Sequence, residues 1–352
     1  MRRLFPSGSE MGLSVGLIRT RYLGDVVLLV PLVREIQAFD PEARITVVVN
    51  AGTTYPLERI PGVEILTLVT SGKARRLVST LSLAGALRRR KLDLLLDLTL
   101  SDRSRLLTRS SGAGRIGAAG NPVDRRRGDP WGTFLPVDLN NGPDHVILQF
   151  GRLLAEMGVP VSGLGDKSYP PDLRWTDPAE ALLRQHFPEG NPVLFLHPGG
   201  RHWFKRWPPD RFAVLADLWV ARTGGGVLVA GTEAERTLVE SVLSGTARDG
   251  IVPLVGAPVG LLDALIRRAT VFVGADSGPL HIADAAHVPL VGLFGSTLPA
   301  VWGPTASPRR EGVFHRLDCS PCAHVGCAMG EGNCLSRISV REVFERVERV
   351  LG

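Results

Sequence analysis

Short runs of consecutive apolar residues alternate with longer stretches of helical periodicity along most of the chain. "SVGLIR" (14–19), "RITVVVN" (44–50), "VEILTLV" (63–69) and "LDLLLDL" (92–98) are runs, not alternations of apolar and polar positions. Strands of that kind are buried on both faces, as parallel strands are between helical layers. Between them the pattern predicts a helix over 24–38 with Pro31 inside it, a long basic helix ending near 90, and a helix over 143–157. "GVPVSGLGDKSYPPDLRWTDP" (158–178) is rich in Gly and Pro and reads as a linker. The pattern then restarts, with strands in "PVLFLHPGG" (192–200), "GGVLVAG" (225–231), "IVPLVG" (251–256), "TVFVGA" (270–275) and "VPLVGLFG" (288–295). Helices are predicted over 209–222, 232–245, 259–269 and 279–287, and an amphipathic helix closes the chain. The fold class is α/β. Residues 11–160 form a first Rossmann-like domain, 161–190 a linker, 191–338 a second such domain and 339–352 a final helix. Doubly wound sheets bind ligands at the carboxyl ends of their strands, and two such domains face to face make a cleft.

Composition changes this picture little. Apolar content of 44% with 22% charged residues is that of a globular protein, not a disordered one. No run reaches the roughly 18 apolar residues of a membrane span. The opening "MRRLFPSGSEMGLSVGLIRTR" has basic residues before an apolar run, but that run is interrupted by Ser14, closes at Arg19 and lacks a cleavage-like segment. It is not expected to be a signal peptide, Met11 is an alternative start, and the expected location is the cytoplasm. The net charge of +6 is concentrated in "ARRLVSTLSLAGALRRRK" (74–91) and "DRRRG" (124–128). These segments suit phosphorylated or anionic-lipid partners, or are simply solvated faces. Aromatic residues make up 6% and none interleave with the basic runs, so no nucleic-acid partner is expected.

Three segments carry chemistry. In "VGADSGPLHIADA" (273–285), Asp276, Ser277 and His281 have the side chains of a hydrolytic triad. A nucleophile elbow needs glycines two positions before and two after its serine; here Gly274 is three before and Gly278 immediately after. A strand ending at Ala275 and a helix started by Gly278 and Pro279 fit better, and put backbone N–H groups at a helix start ready for a phosphate. A plain capped helix with Asp276 as a structural acceptor is the alternative. In "HPGGRHWFKRWPPDRF" (197–212), Gly199 and Gly200 permit a tight turn, and Lys205 and Arg206 would neutralise a diphosphate; a solvated surface loop is the alternative. In "RTRYLGDVVLLVP" (19–31), Gly24 and Asp25 lie where the first strand turns into its helix, so Asp25 is either a cap or a catalytic carboxylate. No Asp-x-Asp pair occurs, so a carboxylate clasp for a metal–nucleotide complex is missing, and no GxxxxGK[ST] phosphate loop occurs either. All four cysteines, Cys319, Cys322, Cys327 and Cys334, fall in "CSPCAHVGCAMGEGNC" (319–334), a candidate structural zinc site whose spacing lacks two separated CxxC knuckles.

Taken together, "LIRTRYLGDVVLLVPLVREIQAFDPEARI", "LHPGGRHWFKRWPPDRF", "VGADSGPLHIADAAHVPLVGLFGSTLPAVWGP" and "CSPCAHVGCAMGEGNCLSRISVREV", in this order, resemble glycosyltransferase family nine, the ADP-heptose:lipopolysaccharide heptosyltransferases. The resemblance implies a GT-B architecture, with the acceptor held by the first domain and the nucleotide sugar by the second. It implies inverting transfer of a heptosyl group from ADP-heptose to a lipid-linked saccharide, the lipopolysaccharide inner core, without a cofactor. The basic helix at 74–91 is expected to bring the protein to the inner leaflet as a peripheral protein, where a lipid-linked acceptor would be. By the resemblance, Asp25 is the general base with Gly24 on the acceptor side. The donor is held by Lys205, Arg206, Gly199, Gly200, Asp276, Ser277, Gly278 and His281. "TLSDRS" (99–104) departs from the Gln-Gly-Leu often found in the family after this strand, in the half assigned to the acceptor. The alternatives are a transferase of the same fold using another nucleotide sugar or acceptor, and a non-catalytic protein that binds anionic ligands.

Overall fold

The computed structural model describes residues 12–138, 142–320, 322 and 326–352; the basic N-terminal stretch and Met11 lie outside them. The chain divides into two compact units, with the boundary between Lys167 and Ser168.

In the first unit, β1 (Ser14–Ile18), β2 (Arg44–Asn50), β3 (Val63–Leu68), β4 (Leu94–Asp97), β5 (Arg115–Gly120) and β6 (Thr133–Pro136) form one sheet in the order β3-β2-β1-β4-β5-β6. Every adjacent pair is parallel. The connections carry α1 (Leu23–Val27), α2 (Val30–Phe39), α3 (Tyr55–Glu58), α4 (Lys73–Arg89) and α5 (Asp102–Ser111), and α6 (Val146–Glu156) follows β6. Three of the apolar runs become the strands β1, β2 and β4 with almost no exposed surface, because helices cover both faces, whereas the run at 63–69 becomes the edge strand β3 and is only partly buried. The helix predicted over 24–38 is in fact two. It stops after Val27 and restarts at Val30, with Pro31 in the first turn of α2. A proline inside a helix removes a backbone donor and collides with the preceding turn, whereas at a helix start neither matters. β5 was not predicted, since "RIGAAG" has no β-branched run beyond Ile116. Its small residues admit α6 instead: a Cβ on Gly117 would lie 2.9 Å from Met157 Sδ.

The second unit repeats the plan. β7 (Val193–His197), β8 (Gly226–Gly231), β9 (Ile251–Val255), β10 (Val271–Ala275), β11 (Leu290–Phe294) and β12 (Arg310–Phe314) pair in the order β9-β8-β7-β10-β11-β12, again all parallel. Its helices are α7 (Thr176–His186), α8 (Pro209–Thr223), α9 (Arg236–Leu243), α10 (Val259–Ile266), α11 (Gly278–Ala285), α12 (Pro299–Trp302) and α13 (Val340–Leu351). Counted from its own first strand, each unit has the strand order 3-2-1-4-5-6 of the doubly wound fold. Part of the segment expected to be a linker is helical, since α7 belongs to the second unit and packs on α10. The closing helix α13 is likewise no appendage: Val343, Val347 and Val350 sit in the same apolar core as Trp207, Phe212 and Trp219 of the α8 region.

Candidate active site

In a doubly wound sheet the loops after the two central strands turn to opposite faces, leaving a crevice at the carboxyl edge. In the first unit those strands are β1 and β4. β1 leads through Arg19 to α1, where Asp25 occupies the third position. There Asp25 Oδ2 accepts the Tyr22 N–H at 3.2 Å, and Oδ1 is paired with the buried Arg19 guanidinium. Arg19 also donates to the Leu98 carbonyl at the end of β4 and lies 5.1 Å from the centre of the Phe150 ring. Burial lowers the Arg19 guanidinium from its ordinary value, and the Asp25 carboxylate opposes that shift. Gly24, beside Asp25 in the helix, is buried. The departing segment after β4 is held from within: Asp97 Oδ1 accepts from Thr99 N at 3.0 Å and Leu100 N at 3.1 Å, and Thr99 Oγ1 accepts from Thr20 N at 2.8 Å. Burial pushes the Asp97 carboxyl above the usual carboxylate range.

The loop after β5 adds charge to this edge. Pro122, Arg125, Arg126, Arg127, Gly128, Asp129 and Trp131 line a cavity of about 430 Å³. Beneath it, Arg105 of α5 is buried, pairs with Asp129 at 2.9 Å, donates to the carbonyls of Leu100 and Asp124, and stacks on Trp131. A Gly-x-Gly-x-x-Gly string does occur nearby, at Gly112, Gly114 and Gly117, but it leads from the end of α5 into β5. A dinucleotide turn requires the reverse order, strand into helix.

In the second unit the central strands are β7 and β10. Ser277 is the N-cap of α11 in extended conformation, and Gly278 and Pro279 are its first two residues, as expected. The first-turn N–H groups of such a helix have no acceptors within it. The triad composition dissolves in three dimensions. Ser277 Oγ lies 3.2 Å from Nδ1 of His197, the last residue of β7, not on His281. His281 is buried, and its Nε2 sits 3.6 Å from Asp276 Oδ1. The other Asp276 oxygen accepts from Thr297 Oγ1 at 2.7 Å and lies 3.9 Å from Lys205 Nζ. Burial raises the Asp276 carboxyl, but His281, Lys205 and Thr297 outweigh it, so the net shift is below the ordinary carboxylate value. Lys205, Asp276, Ser277, Gly278 and His281 are thus brought together. Arg206 is turned to structure, donating to the Gly200 carbonyl at 2.8 Å. The Gly200 N–H, expected to be open to phosphate, is held by Glu235 Oε1 at 3.0 Å. Gly199 packs against the same carboxylate, which a Cβ there would approach to 2.4 Å. His197 is kept neutral by burial, reinforced by Arg206 and opposed by Glu235.

Sequence reading did not single out Arg19, Asp97, His197, Glu235 or Thr297. Arg19 and His197 carried a signal, each lying at the end of a central strand. Glu235 and Thr297 follow β8 and β11, and only the sheet brings them to β7 and β10. The four cysteines are free thiols, and burial raises Cys322 and Cys334 above the ordinary thiol value. Among the described residues no group of three or more His, Cys, Asp or Glu side chains is placed to hold a metal ion. Parts of the cysteine segment, residues 321 and 323–325, lie outside the described residues.

Two all-parallel doubly wound units, each with polar and charged residues at its switch point, are the architecture of the GT-B fold class. A sequence model of glycosyltransferase family 9 (heptosyltransferase) matches residues 80–332, and the chain belongs to that family. It is 28% identical over 292 residues to lipopolysaccharide heptosyltransferase 3 of Escherichia coli, covering 81% of this chain and 84% of that one. A glycosyltransferase family 9 structure from Veillonella parvula superposes with a TM-score of 0.81 at 21% identity, covering 96% of this chain and 97% of that one. The E. coli ADP-heptose lps heptosyltransferase II gives 0.77 at 20% identity, with coverage of 96% and 98%.

Proposed function

We propose that the protein transfers a heptosyl group from ADP-heptose to a lipid-linked saccharide of the lipopolysaccharide inner core, with inversion and without a metal ion. It would act in the cytoplasm at the inner leaflet. Support for donor and acceptor comes from the names of its relatives, a lipopolysaccharide heptosyltransferase and an ADP-heptose enzyme. The carrying observation is the placement of Asp25 at one switch point and of Lys205, Asp276 and the α11 start at the other.

In this reading Asp25 takes the proton of the acceptor hydroxyl as its oxygen bonds to the anomeric carbon and the sugar–phosphate bond breaks. A positioned base is worth about 10²–10⁴-fold. Arg19, paired with Asp25 and anchored on the Leu98 carbonyl, aims that carboxylate, so it is a positioning residue. The charge that develops on the departing ADP is met by Lys205 and by the Ser277–Gly278 amides, donors already oriented before reaction. His281 contributes through Asp276, whose carboxylate it faces. The arginines around the cavity after β5 favour an acceptor bearing phosphate or carboxylate groups.

The test is a thermal-shift panel of sugar nucleotides with chelator present, followed by transfer assays and the anomeric configuration of the product. ADP-heptose should raise the melting temperature most. Stabilisation only by a UDP- or GDP-sugar would reassign the donor, and retention of configuration would remove Asp25 from its role as base.

A further inference from the structure

We propose that α4 is a membrane-docking helix whose solvent face lies on an anionic lipid surface. This rests on the reading above that the acceptor is lipid-linked. α4 packs into the first unit through Thr80, Leu83 and Leu87, yet Leu77, Val78 and Leu81 are 59%, 66% and 58% exposed. At about 3.6 residues per turn, Leu77, Leu81 and Arg88 fall in one row with Val78 beside it. Lys73 borders this row on one side, and Arg75 and Arg89 border it on the other. All four cations are exposed. The helix contains no acidic residue. Lys73, Arg75, Arg88 and Arg89 form no ion pair among the described residues, whereas Arg90 is committed to Glu64 and to the Ala86 carbonyl.

An apolar stripe bordered by cations of one sign is the pattern of a helix lying in a bilayer interface. Among the described residues no helix is long and apolar enough to cross a membrane, so α4 would lie on the surface. A second copy of the chain fits worse, because a two-fold contact would set this cationic face against itself. The position also fits. α4 follows the carboxyl end of β3, so its first turns, with Leu77, Val78 and Leu81, stand at the sheet edge that carries Asp25. Arg103 of α5 fixes that end, donating to the Val69 and Arg76 carbonyls and to Thr80 Oγ1. Docking would therefore hold this edge against the surface from which a lipid-held saccharide projects.

The experiment is co-sedimentation of the full-length protein with phosphatidylcholine vesicles, with and without phosphatidylglycerol. The wild type should bind the anionic vesicles and be released by salt. The triple variants Leu77→Gln/Val78→Gln/Leu81→Gln and Arg75→Glu/Arg88→Glu/Arg89→Glu should each bind about tenfold or more weakly. Both should keep the wild-type melting temperature and wild-type transfer to a lipid-free saccharide acceptor. Leu81→Trp should give a blue-shifted emission on adding anionic vesicles. Wild-type binding by either triple variant, no vesicle binding by the wild type, or an unshifted Leu81→Trp emission would overturn the proposal. So would a dimer that the apolar triple variant dissociates. Vesicle binding without transfer to any saccharide would leave docking intact and overturn the transferase reading instead.

Discussion

Asp25 and Arg19 show how one side chain is understood only through another. Alone in the sequence, Asp25 is an acidic residue at a helix start, where a cap is the ordinary explanation. Its pairing with a buried guanidinium that also grips the end of β4 makes it a fixed carboxylate at a strand edge. Asp25→Asn should lower kcat by about 10²–10⁴-fold while calorimetry shows unaltered ADP binding. Arg19→Met should lower kcat while leaving ADP binding unaltered, because the carboxylate loses the partner that aims it, and Arg19→Lys should restore part of the rate. A merely structural Arg19 would change stability without this split between kcat and ADP binding. His197 gives a pH signature. Its folded-state value is depressed by burial, so the unfolded chain binds the extra proton as pH falls below about 6.5. Stability should be full above that pH and decline below it, and a His197→Gln protein should show a flatter curve of melting temperature against pH. The residue types of the site were readable from the sequence, but their partners were not. Ser277 was read beside His281, yet it meets His197, 80 positions away in the chain.

Elements were legible where burial writes itself into sequence. Strands β1, β2, β4, β7, β10 and β11 are unbroken apolar runs because both faces are covered, and their predicted spans agree with the structure to within a few residues. β5, β6 and β12 escaped notice. They lie toward one side of each sheet, where small, polar or charged residues are tolerated and the signal fades. The segment 161–190 misled for a related reason: Gly and Pro dominate its first half, and the helical pattern of α7 is too short to stand out. The link between α8 and α13 is also tertiary. Trp207 is fully buried, meets Phe212 edge-on at 4.9 Å and donates its indole N–H to the Ile338 carbonyl at 2.9 Å. Trp207→Ala should therefore destabilise the protein by about 3–5 kcal/mol in urea unfolding. The larger cavity should make it costlier than Phe212→Leu, even though Arg211 still donates to the Ile338 carbonyl.

At the scale of the whole chain, two units repeat one strand order, and each has its own apolar core. Transfer activity should be unchanged by chelator and by added Mg²⁺, because the proposed charge-bearing groups are Lys205 and backbone amides; a loss of more than about tenfold on chelation would show that a metal shares the load. ADP at about 100 times its Kd should stabilise the protein by about 2.7 kcal/mol, read as a rise in melting temperature. The sequence by itself determined the α/β class, the duplication, most central strands, the helix start at Ser277 and the family. Each of these is local or periodic, set by which residues a buried strand or a helix N-terminus accepts. Only the tertiary structure decided which residues meet. Arg19 reaches the end of β4, Glu235 takes the Gly200 amide, and Thr297 holds Asp276, because strand order in a parallel sheet brings together loops that the chain keeps tens of residues apart. Hydrophobic patterning specifies a buried strand without specifying its neighbour, so the partners of a charged side chain at a strand end are settled only when the sheet closes.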